Sequence, residues 1–207
     1  MVIPAVRQKG VSLLELMLSA AIGVLILGVI GAVFLSSQKL AMAHRQHLVL
    51  QQALSLTMRQ IKQDVQRAGY DIEKGSSITL QGQAQPVIWQ SDPPLLAYVY
   101  RDDSDDSEPY RNLVYWLDES SHQLKLCEKT SAEPLSVEQA AQSGSGGVCY
   151  SMFDSNVVQV ELLTVISDTV GSAQAQSTWY SMTVRAALVA NSTVSEQESI
   201  TWLARNG

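Results

Sequence analysis

Residues 16–35 read LMLSAAIGVLILGVIGAVFL, an apolar run with one Ser, no charge and no Pro. As a helix it would span roughly 30 Å, about the thickness of a bilayer's hydrocarbon core. Beyond it the pattern becomes amphipathic. No Gly or Pro interrupts residues 36–68, and Leu54, Met58, Ile61, Val65 and Ala68 step by four, three, four and three. That spacing marks one helical face. Arg45, Arg59, Lys62, Gln63 and Gln66 fall largely off it. Gly69 reads as the stop, with Arg67 beside the negative helix end. The pattern predicts one helix over about residues 12–68, roughly 85 Å long at the usual rise. A mean globular helix has only ~11–12 residues.

After Gly75 the period changes from 3.6 to 2. Gln123–Cys127 and Val158–Leu162 alternate, and Tyr180, Met182, Val184, Ala186 and Leu188 share one strand face. Leu95–Tyr100 and Leu113–Leu117 are apolar on both faces, as central strands can be. Ser-, Gly- and Asp-rich punctuation separates these runs. The expected fold class is α+β. A long N-terminal α-helix is packed by its second half on an antiparallel β-sheet head, with eight or so short strands in one sheet or two.

Composition narrows the function classes. Hydrophobic residues make up 46% of the 207 and charged residues 16%. The charged share is below the typical quarter, and the balance excludes collagen, disorder and a disulfide-dense miniprotein. A single candidate span excludes a polytopic membrane protein. The net charge of −6 is a poor match for a nucleic-acid backbone, so no direct nucleic-acid partner is expected. The sequence contains no G-x-S-x-G, no H-E-x-x-H and no phosphate-binding Gly-rich loop. His122 is the sole head histidine, with no assigned partner. The chain reads as a non-enzyme with no cofactor.

Arg7 and Lys9 precede the apolar run and place the N-terminus in the cytoplasm by the positive-inside rule. A secretory signal fits badly, because its apolar core is shorter and ends at a small-residue cleavage site. A plain single-span anchor fits length and flanks but leaves Glu15 unexplained, since a carboxylate at a membrane segment is costly. Lys9-Gly10 followed by Val11-Ser12-Leu13-Leu14-Glu15-Leu16 resembles the class III signal of type IV pilins and pseudopilins. The resemblance implies a leader of residues 1–10, cleaved between Gly10 and Val11 by a membrane prepilin peptidase, and N-methylation of Val11. It implies that Glu15, the fifth mature residue, serves assembly. Val11 departs from the family's usual Phe or Met, which bears on methylation more than on cleavage. Cleavage removes Arg7 and Lys9 and takes the charge from −6 to −8.

The implied organisation is a leader (1–10), a transmembrane and polymerisation helix (11–35), the outer half of the spine helix (36–69) and a periplasmic or extracellular β-rich head (70–207). Gly23, Gly28 and Gly31 lie in the span, where small residues allow close helix approach or local loss of helicity. Asp64 and the run Arg67-Ala68-Gly69-Tyr70 resemble a motif of PilW-type minor pilins, and the C-terminal Trp202–Asn206 looks like that family's closing strand. The resemblance implies a minor pilin that helps initiate type IV pilus assembly, with the fibre tip as its place. Implied partners are other minor and major pilins, the prepilin peptidase and the inner-membrane assembly platform. The implied location is the bacterial inner membrane before assembly and the pilus after it. The alternatives are a minor pseudopilin of the J type in a type II secretion system, or a tip adhesin or DNA-uptake subunit.

Cys127 and Cys149 are the only cysteines. In an exported head two thiols pair, and the alternative is two buried free thiols. The enclosed segment 128–148 is rich in Ser, Ala, Gln and Gly and shows no strand signal. The run Asp102, Asp103, Ser104, Asp105, Asp106, Ser107, Glu108 suggests hard-cation binding. Counted from Asp102 as an EF-hand, its sixth position is Ser107 rather than Gly and its twelfth is Leu113 rather than Glu, so that motif fails. A looser Ca²⁺ site at Asp102, Asp103, Asp105 and Asp106 is the lesser reading, and a solvated inter-strand loop the better one. His44 and His47, at i and i+3, lack the further ligands a metal needs and read as polar surface or subunit contact. Asn191-Ser192-Thr193 fits a glycosylation sequon, to which an envelope protein of bacterial type gives little weight.

Overall fold

Among the described residues, a 53-residue helix, α1 (Leu13–Val65), precedes eight antiparallel strands and one short helix. This computed structural model describes residues 10, 12–71, 76–102, 107–142, 149–172 and 175–204. The chain forms two compact units, residues 1–45 and 46–207, and their boundary falls within α1.

The strands are β1 (Val87–Ser91), β2 (Pro94–Arg101), β3 (Tyr110–Asp118), β4 (Gln123–Ser131), β5 (Tyr150–Ser151), β6 (Val158–Ser172), β7 (Ala175–Leu188) and β8 (Asn191–Leu203). The short helix α2 (Val137–Ala141) lies between β4 and β5. β1 to β5 form one sheet in chain order, and β6 to β8 form a second. The fold is α+β, with two sheets rather than one.

In the first unit every apolar residue from Leu13 to Leu35 is exposed or half-exposed. In the second, α1 buries Leu50, Leu54, Met58, Ile61 and Val65, which extends the apolar stripe one turn earlier than the sequence suggested. These side chains meet Leu96, Tyr98, Leu113 and Tyr115 of the first sheet and Met182, Val184, Ile200 and Trp202 of the second in one core cluster. Each fully buried large apolar side chain contributes roughly 1.5–3 kcal/mol, which is what fixes this half of the helix to the sheets.

The first sheet is covered on its other face as well. Leu95, Ala97, Val99, Val114 and Cys127 pack there with Ile78, Leu80, Val137 and Ala140. Two-sided cover explains why β2 and β3 are apolar on both faces. Odd residues of β2 serve one cluster and even residues the other, as the two-residue strand period requires.

Three readings are corrected. α1 keeps its α-helical pattern only to Val65, and the last turn tightens, with Arg67 N–H donating to Asp64 O (2.9 Å) and Ala68 N–H to Val65 O (3.1 Å). Such tightening is common where end carbonyls lack i+4 partners. The alternation over Val158–Leu162 breaks at an irregularity between Val160 and Leu162, so Leu163 and Val165, not Leu162, turn inward. Segment 128–148 is not structureless, because β4 continues to Ser131 and α2 follows.

Candidate functional site

At the N-terminal end Gly10 and Glu15 are exposed, while Val11 lies outside the described residues. Glu15 sits in the first turn of α1, with its N–H donating to Ser12 O at 3.0 Å. The following stretch is long and apolar enough to cross a membrane, and the structure buries none of it.

The run Arg67-Ala68-Gly69-Tyr70 splices α1 onto β2. Gly69 has φ of 76°, a left-handed conformation that glycine adopts without steric cost. Its N–H donates to Val99 O at 2.8 Å, and its carbonyl accepts from Ile78 N–H at 3.1 Å. Tyr70 O accepts from Arg101 N–H at 2.9 Å. Ala68 is buried, and Arg67 reaches outward to lie 5.7 Å from the centre of the Tyr100 ring. Asp64 accepts a 3.3 Å hydrogen bond from Tyr115 OH inside the helix–sheet layer. Burial, then the Asp64 charge, push the Tyr115 hydroxyl well above its ordinary range, so it stays a donor. Each residue of the motif thus has a structural task at the junction.

Cys127 and Cys149 are joined by a disulfide, 22 residues apart in sequence. Cys127 lies in the middle of β4 rather than at its end, and Cys149 immediately precedes β5. Both sulfurs lie within 3.4 Å of the Ala141 carbonyl oxygen. α2 therefore packs against the bridge. Its start is a capping box: Ser136 Oγ accepts from Gln139 N–H (3.2 Å), and Gln139 Oε1 accepts from Ser136 N–H (3.1 Å). The Ser-x-x-Gln spacing with Val137 and Ala140 three apart was the sequence signal for α2.

Asn112 is a residue that pattern reading missed. It is fully buried on β3. Its amide nitrogen donates to Lys129 O (3.1 Å) and Ser131 Oγ (2.8 Å), and its oxygen accepts from Leu135 N–H (2.9 Å). It ties the chain entering α2 to the sheet. It stands beside Arg111, just ahead of the apolar run Leu113–Leu117, so the pattern carried no sign that it turns into the core.

The acidic loop lies between β2 and β3, and Asp103, Asp105 and Asp106 fall outside the described residues. Asp102 accepts from Arg111 at 3.2 Å, and Arg111 also pairs with Glu128. Glu108 accepts from Thr130 Oγ1 at 2.6 Å. Among the described residues no group of three or more His, Cys, Asp or Glu could hold a metal. His47 Nδ1 lies 2.7 Å from Glu196 Oε1 and ties α1 to β8. His122 has φ of 53°, and its carbonyl accepts from Val160 N–H at 2.8 Å, so its role is in a turn. At the same hairpin Lys125, with Ser120 and Ser121, holds the Asp118 carboxyl well below the usual range.

Among solved structures, a type IV-like pilin from Thermus thermophilus is 11% identical, with 75% of this chain and 95% of that chain covered and a TM-score of 0.44. No curated protein matches the chain in sequence. The family model for prepilin peptidase-dependent protein B matches residues 43–203, more than three quarters of the chain. The match takes in the Asp64–Tyr70 splice, the disulfide and the strands β1 to β8, and the chain belongs to this family of prepilin peptidase-dependent proteins.

Proposed function

We propose that the chain is a minor pilin that helps initiate type IV pilus assembly at the inner membrane and takes a place at the fibre tip. The observation that carries this reading is the agreement of two independent regions. The family is peptidase-dependent by its description, and it is matched from residue 43 onward. The cleavage-type signal at Gly10 and Val11, with Glu15 five residues into the mature chain, lies wholly outside that match.

In this reading residues 1–10 are removed, Val11 is N-methylated, residues 11–35 anchor the chain in the membrane, and the head faces the periplasm. The apolar surface from Leu13 to Leu35 needs lipid before assembly and other subunits' helices afterwards. The role of the chain is scaffolding, and its partners are other pilins, the peptidase and the assembly platform.

Glu15 provides the test. Cleavage creates an α-amine at Val11 that is mostly cationic at neutral pH. In a low-dielectric fibre interior an unpaired charge is costly, and the Glu15 carboxylate of the same or an adjoining subunit offsets it. Glu15→Leu should leave a membrane-inserted, processed chain with an intact head disulfide, but lower both partner-pilin recovery and pilus number. Unchanged recovery and piliation would remove Glu15 from assembly.

A further inference from the structure

Among the described residues the two sheets have four edges, at β1 and β5 of the first and at β6 and β8 of the second. A sheet edge carries unpaired backbone N–H and C=O groups. It is a template for another strand unless it is short, irregular, covered or broken by Pro or Lys. Three of these edges are guarded in that way. β1 has five residues and β5 two. β6 carries the irregularity between Val160 and Leu162, and its start is tied to the β3–β4 turn by the Val160 N–H to His122 O bond (2.8 Å). β8 differs: it is 13 residues long and contains no Pro, Gly or Lys. Its register with β7 is regular from Ser195 to Leu203, and no strand among the described residues pairs with its other side.

The register decides which groups β8 offers. Ala204 N–H donates to Thr178 O at 2.9 Å, and antiparallel bonding then alternates along the strand. Glu196, Glu198, Ile200 and Trp202 fall in the hydrogen-bonded pairs with β7. Ser195, Gln197, Ser199, Thr201 and Leu203 therefore turn their N–H and C=O groups toward the open side. Successive side chains alternate between the faces. Ser195, Gln197, Ser199 and Thr201 are exposed on the outer face. On the inner face Ile200 and Trp202 are buried, while Glu196 and Glu198 are half-exposed. Glu196 meets His47, and Glu198 has no ion-pair partner among the described residues.

A strand added at this edge sets every second side chain beside Glu196, Glu198, Ile200 and Trp202 in turn. A second copy of β8 fits badly. Paired antiparallel about residues 197–198, it opposes Glu196 and Glu198 of one copy to those of the other, and like charges directly opposite are destabilising. Shifted to pair about residue 199, it sets the same carboxylates against Trp202 and Ile200. A segment with Lys or Arg opposite the carboxylates and apolar residues opposite Ile200 and Trp202 meets both chemistries and the open backbone groups at once.

We infer that β8 is a docking edge, extended by one strand when a basic, extended segment of a different polypeptide pairs with Ser195–Leu203. The open N–H and C=O groups bind the segment's main chain, and Glu196 and Glu198 set its charge preference. The inference goes beyond the assembly role and stands on the edge geometry alone, so its failure leaves the minor-pilin reading untouched.

The test uses the full chain in neutral detergent micelles and hydrogen exchange resolved to single amides. The probe is the acetylated, amidated peptide Val-Thr-Val-Thr-Lys-Thr-Lys, which places its two Lys opposite Glu198 and Glu196 when it adds antiparallel. Its counterpart carries Glu at both Lys positions. At millimolar Lys peptide, exchange at the Gln197, Ser199 and Thr201 amides should slow about tenfold or more, because strand addition protects those open donors. The Glu198 and Ile200 amides, already bonded to β7, should change little. The Glu peptide should bind at least about tenfold more weakly. Ser199→Pro removes one outward N–H and leaves the β7 ladder whole. It should abolish the slowing at Gln197 and Thr201, while protected Glu198 and Ile200 amides show that the strand is still in place. Unchanged exchange at the three open amides of the wild-type chain would overturn the inference, and that measurement needs no variant. Equal slowing by the Glu peptide would remove the basic partner. Slowing that grows with protein concentration in the absence of peptide would give the edge to a second copy, and would overturn the inference as well.

Discussion

Gly69 donates its backbone N–H to the Val99 carbonyl at 2.8 Å, and this bond joins the end of a 53-residue helix to the middle layer of the head. The bond needs a left-handed residue at position 69, where φ is 76°. An L-residue with a Cβ is strained there by roughly 1–2 kcal/mol.

Gly69→Ala is therefore expected to lower the stability of the head by about that amount. Urea unfolding of the full chain in detergent, followed by tryptophan fluorescence, reads the loss, since Trp202 is buried in the core that α1 shares. A midpoint equal to wild type would show that the splice tolerates a side chain.

The splice was partly legible in the sequence. Gly69 after an apolar 3.6-period stripe marks a helix stop by local chemistry alone. Its partner Val99 is 30 residues away, and no local rule names it. The same division holds elsewhere. The stripe Leu54, Met58, Ile61, Val65 and the strand face Tyr180–Leu188 could be read because burial on one side imposes a period. The inward turn at Leu163 could not, because an added residue in a strand leaves no periodic trace beforehand. The helix α2 was hidden by composition, since Ser, Ala and Gln read as loop unless the capping box is noticed. The candidate functional residues divide in the same way. Gly10, Val11 and Glu15 were read as candidates from one contiguous stretch, whereas Asn112 matters through contacts with Lys129, Ser131 and Leu135 that only folding assembles.

Asn112→Leu keeps the approximate volume but removes every one of these bonds. It leaves the Leu135 N–H without its acceptor, and a buried donor left unmatched costs roughly 1–3 kcal/mol. The variant should lose about 2 kcal/mol in urea unfolding, and hydrogen exchange at the Leu135 amide should accelerate ahead of the sheet amides. Unchanged exchange at Leu135 would place the anchoring of the α2 entry elsewhere.

The disulfide closes a segment of about 20 residues, for which the chain-entropy relation gives roughly 3 kcal/mol. Cys127→Ala with Cys149→Ala should reduce head stability by about that much while leaving α1 and the sheets folded. Denaturing thiol labelling of exported wild-type chain should find no reactive cysteine. Two labelled thiols per chain would show that the bridge does not form in the cell.

The central claim is that this head is delivered as a processed, peptidase-dependent pilin-like subunit, and the mature N-terminus tests it most directly. Intact mass and N-terminal sequencing of the chain from envelope material, with and without an active prepilin peptidase, make the measurement. The account predicts a chain that starts at Val11 and carries an N-methyl group when the peptidase is active, and one that retains residues 1–10 when it is not. A chain that starts at residue 1 in both strains, or one cut near residue 35 at the end of the apolar run, would contradict it.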